Sequence, residues 1–153
     1  MNTIRITKEF SFEMAHALEG HDGKCANIHG HSYHLSVTVI GEPIAASGSP
    51  KLGMLIDFSD LKKIINEEVI HPYDHALMLK DTDPHVQQLK GSYTKVILTT
   101  FQPTCENMLV EMAPRIAGRM PAPLKLHSLK LRETATSYAE WYAADNSQNS
   151  SYN

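Results

Sequence analysis

Apolar and polar residues alternate along the first segment of the chain, from Ile4 to His16. Its even positions read Ile, Ile, Lys, Phe, Phe, Met and His, whereas its odd positions read Arg, Thr, Glu, Ser, Glu and Ala. Alternation with period 2 is typical of a half-buried β-strand, because successive side chains point to opposite faces of a sheet. The pattern therefore predicts a strand that carries His16 at the end of its buried face.

A second alternating segment begins at His29. His29 and His31 share their parity with Tyr33 and with the apolar residues that follow it at every second position. A loop over 17–28 separates the two predicted strands, so we expect them to form a hairpin-like pair. Its inner face would then gather His16, His29 and His31 at one end of an apolar stripe.

Three inward-facing histidines require partners, because each neutral imidazole carries one donor and one acceptor. A single inward histidine is usually a hydrogen-bonded core residue, but three on matched faces favour a metal ion. Three histidines without a fourth protein ligand are typical of a catalytic zinc site that keeps one position open. A zinc finger is excluded, since one thiol, Cys25, cannot build a Cys2His2 site and its spacing to His29 is wrong.

Two helices are predicted further along the chain. The first has apolar residues at helical spacing between Phe58 and Val69, with Asp57 or Ser59 as its N-cap and Pro72 as its boundary. The second follows Pro103, with Thr104 as its cap and Glu106 in its first turn.

Two further strands are predicted, over 93–101 and 124–133, and residues 137–143 are candidates for a short additional one. The apolar residues of 124–133 change parity near His127 and Ser128, which indicates a β-bulge. The bulge would place Glu133 on the inward face at the strand end. The element order predicts an α+β fold: an antiparallel four-stranded sheet with two helices packed on one face. Exposed sheet edges predict a homo-oligomer.

Composition narrows the classes of function. The chain has 153 residues, 42% of them hydrophobic, which suits one domain over 1–144, followed by a disordered polar tail over 145–153. The formal charge of −3 without a basic run makes nucleic acid and anionic membranes poor partners.

No apolar run approaches the roughly 18 residues of a membrane span, and the first residues lack the layout of a signal peptide. We expect a cytoplasmic protein with reduced cysteines.

Asp74 and His75 stand side by side just past Pro72. In a strand, adjacent residues cannot usually form a coplanar pair with each other, although both can address a third group. From the residues alone, a turn aspartate with an exposed histidine is the favoured interpretation.

Together these segments resemble one known family. The sequence is similar to the 6-pyruvoyltetrahydropterin synthase/6-carboxytetrahydropterin synthase family of the tunnelling fold. The resemblance covers nearly the whole chain. The motifs that carry it are Phe10-Ser11-Phe12-Glu13-Met14-Ala15-His16, Cys25-Xaa3-His29-Gly30-His31, Leu55-Ile56-Asp57-Phe58, Asp74-His75, Pro103-Thr104-Xaa-Glu106-Asn107 and Glu133-Thr134.

The resemblance implies a role for each candidate residue and an assembly of trimers that stack into hexameric barrels, with sites at subunit contacts. By this resemblance, His16, His29 and His31 would be zinc ligands, and Cys25 would be the general base. Asp74 and His75 would complete a catalytic triad from a neighbouring subunit. Glu133 would anchor the pterin, and Thr104 and Glu106 would support the pterin pocket. For Asp74 and His75, this implied role replaces the turn interpretation.

The implied substrate is 7,8-dihydroneopterin triphosphate. Members that form 6-carboxy-5,6,7,8-tetrahydropterin for queuosine and other deazapurines typically have three residues between the cysteine and His-Gly-His, as this chain has. The expected products are therefore the carboxy-pterin, acetaldehyde and triphosphate. The segment between His75 and Pro103 resembles the pyruvoyl-forming branch instead, so that product is the alternative. A zinc-binding sensor module without catalysis is the alternative outside enzymes, although Cys25, Asp74 and Glu133 would be superfluous in it.

Overall fold

The fold is built on one six-stranded sheet, seen in a computed structural model that describes residues 2–147. Its strands are β1 (Ile4–His16), β2 (His29–Gly41), β3 (Ala76–Lys80), β4 (Val96–Thr99), β5 (Lys125–Thr134) and β6 (Ser137–Tyr142). The helices are α1 (Phe58–Ile65), α2 (Val86–Ser92) and α3 (Cys105–Ala117). Short 3₁₀ turns cover Lys24–Ala26 and Ala143–Asn146.

The strands lie in the order β4-β3-β1-β2-β5-β6. Strands β1, β2, β5 and β6 pair antiparallel, whereas β3 runs parallel to both β1 and β4. The prediction of a four-stranded, purely antiparallel sheet is therefore wrong. The five residues of β3 form a short, nearly continuous apolar run, which has no alternation by which a strand could be recognised. The crossover through α2 then brings β4 alongside β3 in the parallel direction.

The predicted β-bulge lies where the change of parity placed it. Thr38 pairs with Ser128, but its neighbour Val39 pairs with Leu126, so His127 is the additional residue on β5. A second irregularity in the pairing of β5 with β6 falls at Glu133. The bulge at His127 changes which residues of β5 face the core, and Glu133 keeps the inward parity of Leu129 and Leu131.

The core lies between the sheet and helices α1 and α3, as the sequence predicted. Fully buried side chains from the sheet pack against the apolar sides of both helices. Among them are Phe12, Tyr33, Leu35, Leu129 and Leu131 from the strands, and Leu61, Ile65, Met108, Met112 and Ile116 from the helices. A smaller cluster of Ala17, Leu79 and Val86 lies where α2 meets the sheet.

Helix α1 begins at the predicted cap but continues past the predicted end. Asp57 accepts a hydrogen bond from the backbone N–H of Ser59 at 2.8 Å, which identifies Asp57 as the cap. After Ile65 the helix widens into a π-helical segment, Asn66–Ile70, and ends with a last turn, His71–Tyr73. Pro72 therefore lies inside the helical segment, one residue before its end.

The end of the chain is described only in part. Residues 145–147 of the predicted tail lie in or next to the last 3₁₀ turn, and residues 148–153 lie outside the described residues. Between residues 2 and 147, no helix is both long enough and apolar enough to cross a membrane.

Candidate active site

The register of β1 and β2 brings the three predicted histidines together. His16 pairs with His29, and Met14 pairs with His31, so all three imidazoles lie on the core side of the sheet. One nitrogen of each histidine lies within 4.8 Å of one nitrogen of both others. The predicted grouping of His16, His29 and His31 is therefore present in the folded chain.

Two backbone carbonyls determine which ring nitrogens face one another. The Nδ1–H of His16 donates to the carbonyl of Pro103 at 2.7 Å, and the Nδ1–H of His29 donates to the carbonyl of Asn27 at 2.8 Å. A neutral imidazole with a proton on Nδ1 presents a lone pair at Nε2. The two Nε2 atoms are 3.0 Å apart, and two lone pairs at that distance repel unless a cation lies beside them. The three histidines could therefore hold a metal ion.

Burial keeps the imidazoles of His16 and His31 in the neutral form that a metal requires. The side chain of His16 is only 2% exposed, and this burial lowers its pKa below the usual value. Burial lowers the pKa of His31 as well, against the opposing effect of the nearby Glu133 carboxylate. Neutral imidazoles offer lone pairs at neutral pH, so metal binding does not have to displace protons from them.

Glu133 lies beside the histidines with a side chain that is 25% exposed. Its Oε1 atom is 3.6 Å from Nε2 of His16 and 3.5 Å from Nε2 of His31. The hydroxyl of Tyr33 donates to the same oxygen at 3.2 Å, and burial raises the pKa of Tyr33, which keeps it protonated. The carboxylate is thus held beside the three histidines while part of it remains exposed.

The contact between Tyr33 and Glu133 is one that sequence reasoning missed. The sequence pattern places Tyr33 only in the apolar stripe of β2. Its hydroxyl could have indicated a further contact, because a buried tyrosine usually finds a hydrogen-bond partner at its polar end. The partner is 100 residues away in the chain, however, and only the sheet brings the two strands into register.

The start of helix α3 forms the wall next to His16. Thr104 caps the helix as predicted, accepting from the backbone N–H of Asn107 at 3.3 Å, and Glu106 is exposed in the first turn. The Cys105 thiol is buried and donates to the carbonyl of Leu131 at 3.2 Å. Burial raises the pKa of Cys105 to about 12, so this thiol is an inert part of the wall.

Cys25 lies in the 3₁₀ turn just before β2 and is half-buried. Its carbonyl accepts from the backbone N–H of Leu18 at 3.0 Å, which ties the turn back to the end of β1. Within residues 2–147 of a single chain, no hydrogen bond or ion pair joins Cys25 to Asp74 or His75.

Asp74 and His75 form a pair with each other at the turn between α1 and β3. Nδ1 of His75 is 2.9 Å from Oδ2 of Asp74, and the other carboxylate oxygen accepts from the backbone N–H of Glu13 at 2.9 Å. His75 has a φ of 61°, a left-handed conformation that bends the chain enough for adjacent side chains to meet. The strand-based expectation that neighbours cannot pair therefore does not apply, because the residues lie in a turn.

The surroundings of Asp74 favour its ionised form. The hydrogen bond from Glu13 lowers the pKa of Asp74 most, and the His75 imidazole lowers it further. An ionised Asp74 holds the proton of His75 on Nδ1 and leaves Nε2 as an acceptor. His75 is 77% exposed and lines a cavity of about 350 Å³ together with Glu13, His31 and Ser32. The exposed residues Glu13 and Ser32 line the same cavity, so His75 borders an open cavity on the outer face of β1 and β2.

Comparison with known proteins agrees with this geometry. Residues 5–144 match the family model described as 6-pyruvoyl tetrahydropterin synthase. The chain belongs to this family. The matched range includes every candidate site residue and nearly all of the described chain.

Two relatives illustrate the extent of the similarity. A protein of Haemophilus influenzae named 6-carboxy-5,6,7,8-tetrahydropterin synthase is 41% identical over 140 residues, which cover 90% of this chain and 98% of that protein. The solved structure of Caenorhabditis elegans 6-pyruvoyl tetrahydropterin synthase is 26% identical and superposes with a TM-score of 0.66, covering 93% of this chain and 96% of that one. The members of the family that this chain resembles are therefore pterin synthases of both named kinds.

Proposed function

We propose that this protein is a zinc-dependent 6-carboxy-5,6,7,8-tetrahydropterin synthase. It would convert 7,8-dihydroneopterin triphosphate to the carboxy-pterin, with release of acetaldehyde and triphosphate, on the route to queuosine and other deazapurines. The observation that carries the proposal is the group of three histidines with opposed Nε2 lone pairs beside a partly exposed carboxylate. The curated relatives named for this activity support it.

His16, His29 and His31 would hold the zinc ion. When bound, zinc supplies a Lewis acid that polarises oxygens of the substrate side chain. The carbonyls of Pro103 and Asn27 contribute indirectly, because they hold the two imidazoles in the tautomer that presents Nε2.

Cys25 would be the general base that removes a carbon-bound proton from the substrate side chain. Asp74 and His75 would complete the catalytic triad from a neighbouring subunit, with His75 carrying protons at Nε2. The absence of any bond from Cys25 to this pair within residues 2–147 of one chain supports an arrangement between subunits. The protein would accordingly work as a homo-oligomer, a trimer or a hexamer.

Glu133 would anchor the pterin ring. Its carboxylate can accept two hydrogen bonds from the guanidine-like edge of a pterin, a bidentate pairing of the kind that arginine makes with carboxylates. Thr104 and Glu106, at the start of α3, would support the pocket from the side of His16. A cytoplasmic setting, in which both thiols stay reduced, fits this role.

The pyruvoyl-forming reaction is the second candidate. The segment between His75 and Pro103 that resembles the pyruvoyl branch contains β3, α2 and β4. The spacing of three residues between Cys25 and His29, together with the names of the curated relatives, favours the carboxy product.

Product analysis tests the proposal directly. The zinc-loaded protein is incubated with 7,8-dihydroneopterin triphosphate, and the mixture is examined by mass spectrometry. We expect 6-carboxy-tetrahydropterin, acetaldehyde and triphosphate. A pyruvoyl-tetrahydropterin without acetaldehyde would assign the protein to the other branch. No turnover by metal-replete oligomer would refute the enzyme and favour a metal-sensing module.

A further inference from the structure

A lysine from outside the predicted site reaches the turn that carries Asp74 and His75. Nζ of Lys95 donates to the carbonyl of His71 at 2.7 Å and to the carbonyl of Asp74 at 2.5 Å. Both carbonyls belong to the end of the helical segment, where backbone oxygens lack partners within the helix. A cation at this position also complements the negative end of the helix dipole.

The second acceptor is the more informative one. The carbonyl of Asp74 belongs to the peptide bond that joins Asp74 to His75, so Lys95 holds the orientation of that peptide. On the opposite side, the carbonyl of Glu13 accepts from the backbone N–H of His75 at 2.6 Å. The peptide between the two residues is therefore fixed from both sides while His75 keeps its left-handed φ of 61°.

Other contacts already hold the helix end and the neighbouring strand in place. The hydroxyl of Tyr73 bonds to Glu111 and accepts from Arg115 at 3.0 Å, which anchors the last helical turn to α3. The backbone carbonyl of Lys95 accepts from Leu77 at 3.0 Å, and that bond does not depend on the lysine side chain. The ammonium group of Lys95 is therefore not needed to join these elements, and its hydrogen bonds go only to the helix end and to the turn that follows it.

We propose that Lys95 is a positioning residue that sets the Asp74–His75 peptide, so that Nδ1 of His75 stays on Asp74. The catalytic importance of this device rests on the proposed function of the pair. Its effect on the imidazole is a property of the folded chain and can be measured without substrate.

The primary test is nitrogen NMR of the His75 ring in the zinc-loaded protein. In the wild type we expect the Nδ1–H tautomer. Lys95→Met removes both donors and keeps the length of the side chain, and we expect a mixture of tautomers. Lys90→Met is the matched control, because Lys90 is an exposed lysine on α2, and it should leave the ring unchanged. Lys95→Arg should restore the single tautomer.

Steady-state kinetics form the second readout. We expect Lys95→Met to lower kcat about 10- to 100-fold with KM within about twofold, because a displaced proton carrier slows chemistry more than binding. Lys95→Arg should recover most of kcat. Melting curves and zinc content of all variants exclude unfolding. If Lys95→Met lowers stability, Lys95→Gln, which can still donate to one carbonyl, should give an intermediate tautomer ratio in a folded chain.

The outcomes separate the two proposals. An unchanged His75 tautomer and unchanged kcat in Lys95→Met would overturn the positioning role. A changed tautomer in Lys95→Met, combined with wild-type kcat in Asp74→Asn, would support the positioning role and refute the catalytic role of the pair. If Lys95→Met lowers both kcat and stability, and Lys95→Arg restores neither, Lys95 acts only as a helix cap. That outcome would overturn the proposal.

Discussion

At the scale of single residues, the chemistry of this site depends on which nitrogen each histidine presents. The carbonyls of Pro103 and Asn27 accept the Nδ1–H groups of His16 and His29, and this leaves both Nε2 atoms toward the same point. His31 completes the group from the next inward position of β2. Removing any one imidazole therefore leaves two lone pairs, too few to hold a catalytic metal firmly.

His31→Ala should weaken zinc binding at least about 100-fold, since even the loss of an outer partner of a metal ligand costs about 10- to 100-fold in affinity. Zinc titration of the metal-free protein, with metal content read by mass spectrometry, measures the change. His34→Ala is the matched control, because His34 lies on the same strand but on its exposed face. Equal zinc affinity in the two variants would contradict the three-histidine site.

The two cysteines should differ in reactivity. Burial raises the pKa of Cys105 to about 12, so at pH 8 only about one molecule in 10⁴ carries the thiolate. Cys25 is half-buried in a turn and should be alkylated by iodoacetamide in the native protein, whereas Cys105 should not. Mass spectrometry of the peptides identifies the modified residue, and both cysteines should react in guanidinium chloride. Comparable native labelling of Cys105 would show that the start of α3 is open.

At the scale of secondary-structure elements, small deviations from regular geometry determine which way the candidate site residues point. The bulge at His127 restores the inward parity of the following part of β5, and Glu133 shares that parity, so its carboxylate lies beside the histidines. The widened end of α1 leads into the turn at Asp74.

Asp57→Ala should lower the free energy of unfolding by about 1 kcal/mol, the usual cost of losing an N-cap. Asp57 bonds the backbone N–H of Ser59, whereas the hydroxyl of Ser59 contributes only an exposed bond back to Asp57. Ser59→Ala is therefore the control and should change stability far less. Urea unfolding of both variants measures the difference. A larger loss in Ser59→Ala would assign the cap to the serine.

At the scale of the whole molecule, two features of the described chain are explained by association with further copies: its unpaired sheet edges and the separation of its proposed catalytic residues. Strands β4 and β6 lie at the two ends of the sheet, and within residues 2–147 neither pairs with another strand on its outer side. Such edges favour pairing with further copies of the chain. Cys25 and the Asp74–His75 pair, which the proposed reaction requires together, are not joined within those residues.

Two inactive variants should therefore complement each other. Cys25→Ala and His75→Ala should each abolish turnover when expressed alone. Co-expression in equal amounts should restore about one quarter of wild-type activity, since random assortment in a closed oligomer supplies a Cys25 and a neighbouring His75 in about one site of four. Activity at the level of the single variants would contradict a site shared between subunits, provided that light scattering shows an oligomer.

Features that depend on neighbouring residues in the chain could be predicted from the pattern of residue types. Period-2 alternation predicted β1 and β2 and placed His16, His29 and His31 on one face, because strand geometry sets the side of every second residue. The change of parity in β5 predicted the bulge at His127. The caps of α1 and α3 were predicted from short-range chemistry, since a cap bonds a backbone group two or three residues away.

Contacts between distant segments could be identified only from the tertiary structure. Strand β3 became recognisable through its parallel pairing with β1 and β4, because its own residues carry no alternation. Two hydrogen bonds join residues that no local pattern relates. One runs from Tyr33 to Glu133, and the other from Lys95 to the carbonyl of Asp74. The pairing of Asp74 with His75 required a left-handed φ, which contacts with Glu13 and Lys95 hold and no single-residue preference predicts. Local geometry thus determines which side chains share a face, and long-range packing determines which of them meet.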